Sequence, residues 1–98
     1  MTPVRFTPLA RQEAIEARAW YENQACGLGR DFFSSVANTV ERIQANPLHF
    51  PVLHRQIRRA MLPRFPYSLF FVLNAEHEAI VLACFHASRN PVGWKQRM

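Results

Sequence analysis

The pattern of apolar residues changes at Asn46-Pro47, and this change limits the folds open to the chain. Before this point, apolar residues recur at helical spacing, whereas after it they form short runs rich in branched and aromatic side chains. A proline pushes the residue before it out of the helical region, so a helix ends here. The sequence therefore predicts a mainly helical first half followed by a sheet.

The first half predicts two helices after a short strand at Val4–Phe6. The Thr7 hydroxyl can cap a helix that begins at Pro8 and runs to near Gln24. Its apolar stripe consists of Ala10, Ala14, Ala17 and Tyr21, and the chain then turns at Gly27-Leu28-Gly29. The stripe of the second helix consists of Phe32, Phe33, Val36, Val40 and Ile43. Because few residues separate the helices, we expect an antiparallel hairpin.

The second half predicts strands. They are expected at Ile57–Leu62, Tyr67–Leu73 and Ala79–His86, and a loop at Asn74–Glu78 makes the last two a hairpin. Val92–Arg97 is read as a basic tail or a short helical turn. We therefore predict an α+β fold of order β-α-α-β-β-β, with the N-terminal strand and helical hairpin packed on one face of a mostly antiparallel four-stranded sheet. With 98 residues and no linker or repeat, the chain is expected to form one domain over residues 1–98.

Both alternating faces of the last two strands are apolar. Two helices can cover only one face of such a sheet, so the second face needs another cover. Leu48–Leu53 and Trp94 of the same chain could supply it, and so could another protein. The prolines at 63 and 66 break the strand between these elements, and we expect Phe65 and Tyr67 to enter the core beside the helices.

Positive charge is concentrated in the second half of the chain. The net charge is +5, and residues up to Arg42 contribute five arginines and five acids. The excess therefore comes from later residues. Eleven of the twelve cations are arginine, whose guanidinium group can donate two hydrogen bonds to one phosphate or carboxylate. A solvated basic face and a surface for nucleic acid or an acidic partner are both consistent with this distribution.

Several function classes receive no support from the sequence. No apolar run approaches the roughly 20 residues that span a bilayer, and no secretory leader is visible, so we expect a cytoplasmic protein without a membrane partner. Cys26 and Cys84 are then expected to be reduced thiols rather than a disulfide. No phosphate loop or metal-ligand spacing is present, so no cofactor and no metal are predicted.

The chemistry that remains possible involves arginines and one histidine. If the protein is a ribonuclease, Arg58 and Arg59 could bind phosphate and His86 could act as a general acid, provided that the strands bring them together. Alternatively, Arg58 or Arg59 pairs with Glu13, with Glu22 or with a carboxylate of a partner. The residues expected to bind a target or a partner are Arg58, Arg59, Arg64, Arg89, Trp94, Lys95 and Arg97.

Over nearly its full length, the chain resembles the RelE/ParE superfamily of toxins, often described as plasmid-stabilisation proteins. The resemblance depends on the order and spacing of several motifs. These are Phe6-Thr7-Pro8 with Ala10, Trp20-Tyr21-Glu22, Gly27-Leu28-Gly29 with Phe32, Pro47, Arg58, Leu62, Arg64-Phe65-Pro66-Tyr67, His86, Arg89, Pro91 and Trp94.

This resemblance implies the toxin of a bacterial type II toxin–antitoxin module, which arrests growth when free and is neutralised by a cognate antitoxin. RelE-like members cleave mRNA in the ribosomal A site, whereas ParE-like members inhibit DNA gyrase by binding. Here Arg58, Arg59 and His86 match the ribonuclease pattern only in part, since residues 44–75 contain no acid and no tyrosine follows Tyr67. We therefore expect a ParE-like toxin. A RelE-like mRNA endoribonuclease and an inactive, antitoxin-binding member remain the alternatives, so whether the chain is an enzyme stays open.

Overall fold

The computed structural model describes residues 1–98. Its elements, in chain order, are β1 (Val4–Phe6), α1 (Pro8–Gln24), α2 (Leu28–Ala45), a 3-10 turn (Pro47–His49), β2 (Val52–His54), β3 (Ile57–Met61), β4 (Tyr67–Leu73), β5 (Ala79–His86) and α3 (Val92–Lys95). The α+β class and the helical hairpin are as predicted.

Local hydrogen bonds explain where the two long helices begin. The Thr7 hydroxyl accepts the backbone N–H of Ala10 at 3.1 Å and so caps α1, as predicted. Between the helices Gly27 has a φ of 86°, a left-handed conformation that a side chain disfavours. The Glu22 carboxylate accepts the N–H groups of Gly27 and Gly29, each at 3.0 Å. These two bonds lower the pKa of Glu22, and they join the end of α1 to the start of α2.

The sheet has five strands rather than the predicted four. Their order is β1-β5-β4-β3-β2; β1 runs parallel to β5, and the other neighbours are antiparallel. The additional strand is β2, in which Val52 lies opposite Arg58 and His54 opposite Ile57. A segment of three residues is too short to show alternation in the sequence, so only its pairing with β3 identifies it as a strand.

The helices pack on one face of the sheet. The three alanines of the α1 stripe are buried, and with Phe32 and Ile43 they belong to a core that includes Leu69, Phe71 and Val81 of the strands. Phe65 and Tyr67 join this core through aromatic contacts, as predicted. The ring centroid of Phe65 lies 4.8 Å from that of Tyr21, and the ring centroid of Tyr67 lies 5.2 Å from that of Phe32.

The C-terminal tail covers the other face. Trp94 of α3 is buried and stacks on Phe70, with ring centroids 4.0 Å apart. A side chain at position 93 would place its Cβ 2.6 Å from the Phe85 ring, so the glycine allows α3 to approach the sheet this closely. Of the two internal segments considered as a cover, Trp94 lies on this face, whereas Leu48–Leu53 does not. Phe50 instead enters the helix-side core, and the other apolar residues of that segment are exposed.

No helix in the structure has the length and apolar character needed to cross a membrane.

Candidate functional site

The outer edge of β5 is closed by side chains rather than by a strand. β1 pairs with β5 only over residues 79–81, so the following part of β5 lacks a strand partner on that side. Glu13 of α1 accepts the backbone N–H of Cys84 at 3.1 Å, and Arg97 donates to the carbonyl of Leu82 at 3.0 Å. These two side chains therefore satisfy backbone groups that an open edge would expose.

The same two side chains form the central ion pair of the protein. One guanidinium nitrogen of Arg97 lies 2.6 Å from one Glu13 oxygen, and the other nitrogen lies 2.9 Å from the second oxygen. Arg89 adds a third contact at 3.0 Å. The Glu13 side chain is only 7% exposed, so its charge is compensated almost entirely by these arginines. The network anchors the tail to α1.

This network separates the predicted C-terminal binding residues into two groups. Trp94 is buried, and the Arg97 side chain is 16% exposed, so both are packed within the tail. The Arg89 side chain is 54% exposed despite its ion pair, and Lys95 is exposed. Arg89 and Lys95 are therefore the accessible cations of this surface, and their role in binding stays a prediction.

His86 lies beside a cleft between α1 and the sheet. Its Nδ1 accepts the backbone N–H of Ser88 at 3.0 Å. The cleft has a volume of about 220 Å³, and its lining includes Glu13, Glu16, Trp20, Tyr67, His86 and Arg89. Burial raises the pKa of Tyr67, as do the nearby Tyr21 and Cys84, so this hydroxyl is neutral at physiological pH.

The structure does not bring His86 together with Arg58 and Arg59. His86 lies opposite Tyr67, and Arg59 lies opposite Phe70, so β4 separates the strands that carry them. From ordinary strand spacing and rise, the Cα atoms of Arg59 and His86 are roughly 14 Å apart. The expected convergence of these residues therefore does not occur within the monomer.

The intramolecular pairing considered for Arg58 and Arg59 is also absent. Arg58 donates to the carbonyl of Phe50 at 2.7 Å and so holds the 3-10 turn against β3. Neither arginine pairs with Glu13, which binds Arg97 and Arg89, or with Glu22, which caps α2. Arg59 instead lines a small cleft together with Arg42 of α2 and His49 of the 3-10 turn.

Sequence reasoning did not identify Arg42 and His49 as site residues. They lie on α2 and on the 3-10 turn, and only the fold places them beside Arg59 of β3. The absence of acids over residues 44–75 was the one signal of an uncompensated basic region.

The remaining predicted residue, Arg64, lies apart from both clefts. Its guanidinium is 3.9 Å from the Asp31 carboxylate, and both side chains are well exposed, so the contact contributes little to stability.

The buried cysteine is not placed to act as a nucleophile. Burial raises the pKa of Cys84 to about 12, with a further contribution from the Glu13 charge, so its thiol stays protonated. Cys26 is exposed in the turn between the helices, and the two thiols are unpaired, as expected.

Comparison with known proteins identifies the family. Residues 4–91 match the family described as the ParE toxin of a type II toxin–antitoxin system, parDE. The chain belongs to the ParE toxin family. The predicted membership of the RelE/ParE superfamily is thereby confirmed, and the chain is a type II toxin.

A solved structure has the same fold as this ParE-family chain. It is the chromosomal ParDE toxin–antitoxin system from P. aeruginosa, with a TM-score of 0.75 and 17% sequence identity. The match covers 90% of this chain and 98% of the other. No curated protein has significant sequence similarity to the chain.

Proposed function

We propose that this ParE-family toxin acts in the cytoplasm, where it arrests growth by binding DNA gyrase, and that a cognate antitoxin neutralises it. The separation of His86 from Arg58 and Arg59 is the observation that carries the proposal, because it favours a binding mechanism over ribonuclease chemistry. Gyrase is proposed as the target because the chain resembles ParE-like members, and membership of the ParE family is consistent with this choice.

Cleavage of RNA by its 2′-hydroxyl needs a neutralised phosphate, a base and an acid at one place. Around Arg59, the cleft supplies two arginines and one histidine, His49, but no second acid or base. Around His86, the cleft includes the carboxylates of Glu13 and Glu16 but only one cation, Arg89, which is already paired with Glu13. The charges of Glu13 and Glu16 are balanced by those of Arg89 and Arg97, so this cleft offers a phosphodiester no net positive charge, and neither cleft by itself meets all three needs.

A partner protein is supported by an exposed apolar groove between α1 and α2. It has a volume of about 320 Å³, and six of its seven lining residues are apolar, among them Phe6, Ile15, Phe33 and Val36. Ile15 is 45% exposed. Contiguous exposed apolar surface of this kind is typical of protein interfaces, and an amphipathic antitoxin helix fits such a groove.

Inducible expression in growing cells tests the mechanism. We expect His86→Ala to retain growth arrest, because binding needs no general acid. We expect the double variant Arg89→Ala/Lys95→Ala to relieve the arrest, because it removes the accessible cations of the tail surface while leaving Arg97 paired. Arg30→Ala is the control. It removes an exposed charge on α2, and the variant should stay toxic. Circular dichroism confirms that each variant is folded.

Two assays with purified protein then separate the targets. Wild-type toxin should inhibit DNA supercoiling by gyrase, and it should leave mRNA in programmed ribosomes intact. If His86→Ala alone abolishes arrest while wild type cleaves mRNA in the A site, the toxin is a ribonuclease and the gyrase proposal is wrong. If wild type neither arrests growth nor affects either target, the chain is an inactive member.

A further inference from the structure

The guanidinium of Arg59 has no partner within the protein. Its Nε is buried and makes no hydrogen bond, and none of the four ion pairs of the protein involves this residue. The backbone N–H of Arg59 donates to the Pro51 carbonyl at 3.1 Å, so the start of the side chain is held in place. A buried donor on a charged group without an acceptor is unfavourable and rare, and an acceptor from outside the protein would satisfy it.

The cleft beside Arg59 is built to receive an anion. It has a volume of about 190 Å³, and Arg42, His49 and Arg59 line it together with Phe50, Pro51 and Met61. Arg42 is positioned by a bond from its guanidinium to the Met61 carbonyl at 3.2 Å, and its charge lies 5.2 Å from the centre of the Phe50 ring. No acid lines the cleft, so two arginines remain without a counter-charge.

The size of the cleft and its surroundings favour one side chain of a protein over a nucleic acid. The volume is below that of typical small-molecule pockets, so it suits a single group. The neighbouring segments expose Leu48 (68%), Met61 (61%) and Val52 (48%). Apolar contacts around an anchoring charge are typical of protein interfaces, whereas nucleic-acid interfaces are more polar and far more basic.

We propose that the cleft formed by Arg42, His49 and Arg59 binds one carboxylate side chain of the antitoxin. The carboxylate accepts hydrogen bonds from the Arg59 guanidinium, including its buried Nε–H, while adjacent apolar residues of the antitoxin pack on Leu48 and Met61. This assignment depends on the proposed neutralisation by an antitoxin and adds to it the chemistry of one contact.

The first test measures affinity for the antitoxin encoded beside the toxin gene. Removing one member of a buried charge pair costs enough binding energy that Arg59→Met should raise Kd at least about 30-fold. Arg59→Lys keeps the charge but loses the planar guanidinium group, which can donate two parallel hydrogen bonds, so this variant should also bind the antitoxin more weakly than wild type. Arg30→Met changes the net charge equally at an exposed site and should stay within about threefold of wild type.

Thermal unfolding of the free variants distinguishes a binding role from a structural one. Since the Arg59 guanidinium has no intramolecular partner, Arg59→Met should not lower Tm. If it both unfolds the protein and leaves the Kd of the remaining folded protein unchanged, the site is structural and the inference fails. If wild-type toxin binds no antitoxin, the proposed function fails as well. If wild type and Arg59→Met bind antitoxin equally, only the carboxylate site is wrong.

The second test identifies the anion by NMR of the arginine Nε–H groups of the free toxin. The probes are a capped Leu-Glu-Leu-Leu peptide, the same peptide with Gln in place of Glu, and an eight-nucleotide single-stranded RNA. We expect the Glu peptide to shift the Arg59 Nε–H resonance and the Gln peptide to leave it unchanged. A shift with the RNA alone would show that the cleft takes phosphate, and it would overturn the assignment.

Discussion

Replacement of Glu13 by alanine is the perturbation that tests the account of the C-terminal tail. The substitution removes the carboxylate that binds Arg97 through both guanidinium nitrogens and accepts the Cys84 N–H. The Arg97 side chain is 16% exposed, so it becomes a largely buried cation without an anionic partner, and the Leu82 carbonyl is its remaining acceptor. Such a loss typically costs about 3–5 kcal/mol. Arg89 adds little to this figure, because its side chain is more than half exposed.

A loss of this size is easily measured in a domain of 98 residues. Each kcal/mol lowers Tm by about 4–8 °C at this length, so Glu13→Ala should melt on the order of 12 °C or more below wild type. Urea unfolding followed by circular dichroism gives the free energy directly. Glu16→Ala, one turn away on α1 and exposed, is the matched control and should change stability by no more than about 0.5 kcal/mol.

A double variant separates loss of the ion pair from loss of packing. Glu13→Leu combined with Arg97→Met replaces the pair by apolar side chains, so no buried charge is left without a partner. We expect it to be more stable than Glu13→Ala, although the Cys84 N–H still lacks its acceptor. If Glu13→Ala unfolds within about 0.5 kcal/mol of wild type, or the double variant is the least stable of the set, the ion pair does not anchor the tail.

Three further outcomes are expected. Phe65→Ala should lower the free energy of unfolding by about 3–5 kcal/mol, because the buried ring packs on the helix pair, and an unchanged Tm would contradict this placement. Glu22→Gln should lower the free energy of unfolding at pH 7. The difference from wild type should disappear as pH falls through the lowered pKa of Glu22, because the wild-type carboxylate is then protonated. A difference in stability that persists at pH 2 would refute the charged cap. A thiol reagent at pH 8 should label Cys26 rapidly and Cys84 only after unfolding, and equal labelling rates in the native protein would disprove the burial of Cys84.

The local elements of this fold were readable from the sequence because they depend on residues close together in the chain. The helical stripes, the Thr7 cap and the stop at Pro47 all act within a few residues. The same holds for the hairpin of β4 and β5, whose two apolar runs flank a short polar loop. The strand at Val52–His54 was missed, because a three-residue edge strand is defined by its neighbour rather than by its own pattern.

The candidate sites were less predictable, because each depends on side chains far apart in the chain. Sequence reasoning identified Arg59 but grouped it with His86, since membership of one sheet does not reveal which strand lies between two residues. It listed Arg97 among the binding residues, because the sequence of a basic tail does not reveal that Arg97 pairs with a buried glutamate 84 positions earlier.

The sequence by itself therefore determined the order of helices and strands, the basic second half and, through its ordered motifs, the superfamily. Only the tertiary structure decided which charges compensate one another. Glu13 pairs with Arg97 of the tail, whereas no acid pairs with Arg59 in the cleft that it lines with Arg42 and His49. The physical reason is that helix and strand patterns depend on neighbours along the chain, whereas pairing of charges depends on distances that only packing sets.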